Sequence, residues 1–302
     1  MKIEEPIEDM PKVATPPILV IVLTLNEEQN LPDCLASLRG LDCGILVVDS
    51  GSSDRTVEIA EEYGARVLLH PFENYARQRN WAFENAGPNS EWIVNLDADE
   101  RLTPEIVTEL NSMVRSDDKK FDGYMFRKRT YFLGRWIKHG GQYPAYHLRM
   151  VRNGQGYCED RLYDQHFKVR SGKIGKTRND YIDIITSGLS EWVERHNKWA
   201  ALEAMEILAQ HGSDGPDNQV TPRLFGNAIE RKRFLRTKVY QRFPLFIRPF
   251  IFFLYGYFLR MGFLDGKEGL IFHVLQRFWF RFLVDAKIFE MTRDGQHATS
   301  DR

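Results

Sequence analysis

The sequence predicts an α/β fold, a parallel sheet with helices on both faces, followed by an amphipathic helical C-terminal region. Three observations carry this. Short β-branched apolar runs alternate with helix-like segments four times in the first hundred residues. Three of those runs end in polar, acid-bearing clusters. Beyond residue 225 the composition changes to a basic stretch and then a dense aromatic one. The expected organisation is a lead-in over 1–16, an α/β domain over 17–225 and a basic, aromatic helical region over 226–302.

The elements follow in order. "ILVIVL" at 18–23 is apolar without alternation, as a strand covered on both faces must be. After "TLNEEQN" a helix carries Leu31, Leu35 and Leu38, with Pro32 in its first turn. "GILVVDS" is a second strand. The helix after it has Ser53 or Asp54 as cap and Gly64 as terminator. "ARVLLH", the helix "NYARQRNWAFENAG" closed by Gly87, and the strand "EWIVNL" complete the alternation. "GYMFRKRTYFLGRWI" and "YPAYHLRMVR" suggest antiparallel additions to the sheet. "SEWVERHNKWAALEAMEILAQ" reads as a helix with Trp192, Trp199, Leu202 and Met205 on its apolar side, and "GSDGPDNQVTP" as a loop.

The chain has 302 residues, 43% hydrophobic and 27% charged, enough for one large α/β domain plus an appendage. Its net charge of -1 hides bases clustered near 231–248. Three cysteines, Cys34, Cys43 and Cys158, are too few for a disulfide framework and fit a reducing compartment. None has metal-ligand spacing, and Cys34 and Cys43 read as small hydrophobes. The N-terminal "MKIEEPIEDMPKVATPP" is acidic and proline-rich, unlike a secretory signal. No nucleic-acid partner is expected.

In open α/β sheets ligands bind beyond the carboxyl ends of the strands, so "TLNEE", "DSGSSD" and "DADE" converge in one crevice. Asp97 and Asp99, one small residue apart, can both reach a hard cation such as Mg²⁺ or Mn²⁺. By itself such a pair is equally a solvated acidic turn. Asp49 can accept hydrogen bonds from a nucleobase or ribose. The small Ser50, Gly51 and Ser52 would leave backbone N–H groups free for a ligand near a helix N-terminus. Asp49 and Asp54 serve equally as helix caps. Thr24, Asn26 and Glu27 end the first strand, where Glu27 can meet a ribose hydroxyl. Arg77 and Arg79 suit a phosphate or Asp97, or a solvated helix face.

"VIVLTLNEEQNL", "VVDSGSSDRTVEIA", "ARQRNWA" and "NLDADE" together resemble the inverting family 2 glycosyltransferases, which adopt the GT-A nucleotide-sugar fold. "YFLGRWIKHGGQYPAYHLRMVRNGQGYCEDRLYDQHF" is similar to a narrower bacterial group that adds sugars to lipopolysaccharide core or exopolysaccharide precursors. The likeness runs from residue 18 to about 290. It implies that Asp97 and Asp99 hold Mn²⁺ or Mg²⁺ against the diphosphate of a nucleotide sugar, a UDP-sugar foremost. Thr24, Glu27 and Asp49 would grip the nucleoside, with Asn26, Ser50, Gly51, Ser52 and Arg79 completing the donor site. Inversion needs a base to take the acceptor's proton. "CEDRLYDQHF" supplies Asp160, beside Glu159, with Asp164 the alternative. Where the core-sugar group carries His-Glu, this chain has Asp164-Gln165, and Gln165 cannot be a base. His139, Tyr143 and Arg149 are acceptor-side or packing residues. His147 and His166 read as locally bonded histidines, with His166 a further candidate ligand.

In the tail, Arg231, Lys232, Arg233, Arg236, Lys238, Arg242 and Arg248 precede the uncharged "PFIFFLYGYFL". That run is shorter than the roughly 20 residues of a spanning helix. A helix lying in the headgroups of an anionic membrane surface fits instead, with "GFLDGKEGLIFHVLQRFWFRFL" folding back as a second one. The expected placement is peripheral, on the cytoplasmic face of a bacterial inner membrane, with a lipid-linked saccharide as acceptor. Two rivals are a sugar nucleotidyltransferase and a non-catalytic membrane-associated nucleotide-binding module. The first should carry a Gly-rich basic loop after the first strand, which "TLNEEQN" lacks. The second should show no metal-dependent turnover.

Overall fold

The computed structural model describes residues 16–116, 120–161, 165–210, 222–226 and 228–300. The expected lead-in and most of the 212–222 loop lie outside them, as does Asp164.

Strands β1 (Ile18–Thr24), β2 (Cys43–Asp49), β3 (Arg66–Leu69) and β4 (Trp92–Asp97) stand in the order β3-β2-β1-β4, all parallel. They are joined by α1 (Leu31–Ala36), α2 (Thr56–Glu62) and α3 (Tyr75–Glu84). On one face Val20, Val22, Val47 and Val94 pack with Leu31 and Leu35 of α1 and Ile59 of α2. On the other, Ile21, Leu46, Val48 and Ile93 pack with Ala76 and Ala82 of α3. Burial on both faces is why these strands read as unbroken apolar runs. Gly64, at φ +73°, ends α2 as expected.

The sheet continues through β5 (Glu100–Leu102), β6 (Gly123–Phe132), β7 (Arg135–Trp136), β8 (Ala145–Arg152) and β11 (Ile174–Ile185), while β9 (Gly156–Cys158) and β10 (Phe167–Val169) form a separate hairpin beside α3. β8 is antiparallel to both β4 and β6, whereas β11 lies parallel to β6. Between β5 and β6 runs α4 (Pro104–Arg115), which the motif reading passed over. Thr103 caps it, Pro104 opens it, and Ile106, Val107 and Leu110 are buried.

The C-terminal layer comprises α5 (Leu189–Gln210), α6 (Ala228–Phe234), α7 (Ile247–Leu254), α8 (Gly266–His273) and α9 (Phe280–Ser300), with wide helical turns at Leu235–Val239, Tyr255–Leu259 and Val274–Trp279. Ala200, Ala204 and Ile207 of α5 share one core with Phe280, Val284 and Ile288 of α9. Trp192 is buried as expected, but Met205 is 42% exposed because the α9 contact falls on the alanine stripe instead. Phe132 and Ile137 from the sheet pack on Phe272, so this layer is seated on the α/β part. No single described helix is long and apolar enough to cross a membrane. The pair Ile247–Leu259 and Gly262–Arg293, bent by 72°, passes that test of length and composition only jointly.

Candidate active site

Strand register assembles the site. Thr24 stands opposite Asp49 and Leu23 opposite Asp97, which sets three polar strand ends side by side at one sheet edge. The two loops leaving β1 and β2 are laced together. Asn26 N donates to Ser52 Oγ at 2.8 Å, Glu27 N to Thr56 Oγ1 at 2.7 Å and Ser53 N to Asn26 Oδ1 at 2.9 Å. Asn26 sits at φ +56°, a conformation its short side chain tolerates.

Asp49 is fully buried, and its carboxylate accepts from Thr24 Oγ1 (2.8 Å), Gly51 N (2.9 Å), Ser52 N (2.8 Å) and Ser52 Oγ (2.5 Å). A carboxylate offers about four lone-pair sites, so this one is filled by its own loop. The expectation of free loop N–H groups is corrected too. Ser50 N donates to Thr24 O at 3.0 Å, while those of Gly51, Ser52 and Ser53 are taken as above. A tight polar turn beside a strand end satisfies itself first. Ser50 Oγ accepts from Gln78 at 3.1 Å. Asp54 takes the capping part, accepting from Thr56 N at 3.0 Å. Glu27 is half-buried. Burial raises its carboxyl above the usual range although Asn30 donates to it at 2.7 Å.

At the end of β4 the two aspartates differ. Asp97 accepts from Arg79 at 2.9 Å and from Arg149 at 3.1 Å, and these guanidiniums overcome its desolvation and hold it well below the usual carboxylate range. Arg149 also pairs with buried Glu100 and lies 5.5 Å over the Tyr181 ring. It therefore belongs to the acid corner, not to the acceptor side. Asp99 makes no hydrogen bond or ion pair through its side chain among the described residues. Burial first, then Asp183, Asp97 and Glu27, push its carboxyl up to about 7. Lys128, the cation acting on it, is paired with Asp183 at 2.7 Å. Ile184 N donates to Asp99 O at 3.0 Å and clamps the Asp97-Ala98-Asp99 turn to β11.

Among the described residues no group of three or more His, Cys, Asp or Glu is arranged to hold a metal ion. That suits a site completed by substrate, since Mg²⁺ and Mn²⁺ bound to phosphates usually take only one or two carboxylates from the protein. An acid facing three other acids without a cation of its own fits such a guest. The sequence reading missed Glu100, Lys128 and Asp183. The signal for Asp183 is its position on a strand that returns to β5, which a linear reading cannot see.

The loop after β9 carries the candidate bases. Glu159 is fully buried and paired with Arg233 of α6 at 2.8 Å and with His166 at 3.0 Å. It is a structural anchor in this arrangement. Asp160 is exposed and lines an open groove of about 340 Å³ with His70, Arg77, Asn80, Trp81 and Glu84. Arg77 pairs with Glu73 on the exposed face of α3. His147 is kept neutral, its pKa lowered by burial and by Lys128 and Arg149. His139 Nδ1 lies 2.6 Å from Asp265, and Tyr143 donates to Asp180 at 3.1 Å. All three cysteines are free; burial raises the Cys43 thiol to about 11 and that of Cys158 to about 12.

Comparison with known proteins places the chain in a family. A model of the family described as Glycosyl transferase family 2 matches residues 19–171. The lipopolysaccharide core biosynthesis glycosyltransferase LpsC of Rhizobium meliloti is 27% identical over 292 residues, covering 91% of this chain and 92% of its own. An uncharacterized glycosyltransferase of Rickettsia typhi is 25% identical over 277 residues, covering 91% and 87%. Among solved structures, the mannosyltransferase PcManGT of Pyrobaculum calidifontis, in complex with GDP-Man and Mn²⁺, aligns at a TM-score of 0.48 with 15% identity, over 95% of this chain and 89% of that one. S. aureus TarS bound to UDP-GlcNAc aligns at 0.47 with 16% identity, over 92% of each chain. The family match runs from β1 through β10, across the ends of β1, β2 and β4, and the chain belongs to glycosyl transferase family 2 as a sugar-transferring enzyme.

Proposed function

We propose that this transferase moves one hexose-like sugar, with inversion, from a nucleoside diphosphate sugar to a lipid-linked saccharide of the bacterial envelope. A UDP-sugar is the first choice of donor. The observation that supports it most is the split at the end of β4, where Asp97 is held ionised by two arginines while Asp99 stands among acids with no ion pair of its own among the described residues. Asp97 and Asp99 would hold Mn²⁺ or Mg²⁺. The ion, when bound, neutralises charge gathering on the departing diphosphate. Arg79 and Arg149 add fixed positive charge at the same edge. Thr24 and Asp49 shape the loop that the nucleoside meets, and Glu27 reaches the ribose. Asp160, exposed on the groove, takes the proton from the acceptor hydroxyl. Asp164 is the alternative base, and it lies outside the described residues.

A lipopolysaccharide-core acceptor is supported by the likeness to LpsC. Peripheral attachment to the cytoplasmic face of a bacterial inner membrane is supported by the apolar surface of the C-terminal layer. Phe250, Leu254, Phe258, Leu259, Met261 and Phe263 are all 46% exposed or more. The basic stretch divides in two. Arg233, Arg236 and Arg248 are spent on Glu159, Glu203 and Asp285, while Arg231, Lys238 and Arg242 are exposed and suit an anionic surface.

The test is a panel of UDP- and GDP-sugars with an envelope lipid extract as acceptor, read as nucleoside diphosphate released. Turnover should need Mn²⁺ or Mg²⁺, and Asp99→Ala should lower it roughly 10²–10³-fold, the scale of losing one transition-state contact. Equal turnover by the variant, or with chelator present, refutes the acid-corner mechanism.

A further inference from the structure

The acceptor-side loop between β7 and β8 meets the C-terminal layer at two glycines. Gly140 and Gly141 lie at φ +67° and +74°. A Cβ on Gly140 would stand 2.1 Å from the His273 ring, so no side chain fits there. Gly141 is exposed, and a Cβ there would sit in ordinary van der Waals contact with two guanidinium groups. Arg277 Nη2 lies 3.7 Å, and Arg260 Cζ 3.8 Å, from where its Cβ would be.

Of the six buried arginines among the described residues, Arg101, Arg149, Arg161, Arg233 and Arg248 form ion pairs. Arg277 does not. It is 6% exposed, donates through Nη2 to Gly140 O, rests 4.5 Å from the Phe252 ring centroid, and leaves Nε buried without a partner. Burial and the like charges of Arg281 and Arg260 bring its pKa down to about 10. Arg260 has no ion pair among the described residues either; it reaches Tyr255 Oη at 3.4 Å and is otherwise exposed. His273, behind them, is fully buried with neither ring nitrogen bonded. Asp265, the acid that acts on His273, is committed to His139. A buried cation kept beside another cation costs free energy that an anion would recover.

We infer that Arg260 and Arg277, beneath the exposed Gly141, form a binding site for a phosphate ester, set between the acceptor-side loop and the exposed apolar surface. Paired guanidinium forks match phosphate oxygens geometrically. The neighbouring Phe258, Leu259 and Met261, exposed by 54% or more, put the site where phosphate groups line a bilayer. The phosphate comes either from a membrane lipid headgroup or from a soluble phosphate ester, and the two sources separate by experiment.

The full chain is used, in EDTA so that the acid corner holds no metal, and without nucleotide sugar, so the outcome is independent of transfer. One arm titrates inorganic phosphate by calorimetry. The other floats the protein with phosphatidylcholine vesicles with and without a minor fraction of phosphatidic acid. The variants are Arg260→Gln, Arg277→Lys, and Arg293→Gln as an exposed charge on α9 of the same layer. Arg260→Gln should weaken binding roughly tenfold, with UDP binding, read separately in Mn²⁺, unchanged and Arg293→Gln near the parent. A response in the vesicle arm alone assigns the headgroup; one that includes inorganic phosphate assigns a soluble ester. If the parent binds in neither arm, or Arg260→Gln equals the parent or Arg293→Gln in both, the site is refuted. Should Arg277→Lys fail to fold, Arg260→Gln alone decides.

Discussion

The carboxylates at the strand ends divide into those that hold the loops and those that face the crevice. Asp49 is of the first kind. Its oxygens are filled by Thr24, Gly51 and Ser52, and a buried charge of this sort is stable only while its donors remain. Thr24→Val keeps shape but removes one of them. It should cost about 2 kcal/mol in urea unfolding, within the range for an orphaned charged acceptor, and weaken UDP binding as the loop relaxes. A variant as stable as the parent would show that Asp49 has another donor to hand. Asp99 is of the second kind, and its neighbour Asp97 shows how two residues apart in sequence acquire opposite electrostatics. The sequence displayed both aspartates. It did not display that Arg149 and Lys128 arrive from β8 and β6 to set each acid's environment.

At the scale of elements, the first four strands were legible because burial on both faces leaves an unmistakable apolar run. Helix α4 was equally legible in principle, through Thr103-Pro104 and the spacing of Ile106, Val107 and Leu110. The pairing of β6 with β11 was not, because parallel partners about fifty residues apart leave no local mark. The C-terminal helices were readable as amphipathic, yet which bases were surface and which were structural depended on partners at Glu159, Glu203 and Asp285. The membrane reading rests on the apolar face of Tyr255–Leu259 and its surroundings. Phe258→Asp with Leu259→Asp should reduce partitioning to anionic vesicles tenfold or more, about 1.4 kcal/mol per decade, with UDP binding preserved. Unchanged flotation would assign that face to another contact.

At the scale of the molecule, the C-terminal layer ties stability to pH. His196 and His273, both in the C-terminal layer, are held neutral by burial, each with its pKa lowered to about 4. An unfolded histidine titrates near 6.5. Between those values the unfolded chain binds more protons, so stability contributed by each is full above about pH 6.5 and lost as pH falls toward 4. Measured against His273→Gln, the parent should lose on the order of 2–3 kcal/mol across that window. A difference that does not change with pH would mean that the ring is reached by water. Neither histidine's neutrality is legible in the sequence, since it follows from packing within the C-terminal layer.

The grip of Arg233 on Glu159, and of Asp265 on His139, has a practical consequence for anyone recombining such enzymes. The tail cannot be exchanged as a detachable piece, because a foreign one would arrive without the two side chains that brace the loop of Glu159 and Asp160 and the loop of His139. A working chimera has to inherit both halves of each pair from the same parent.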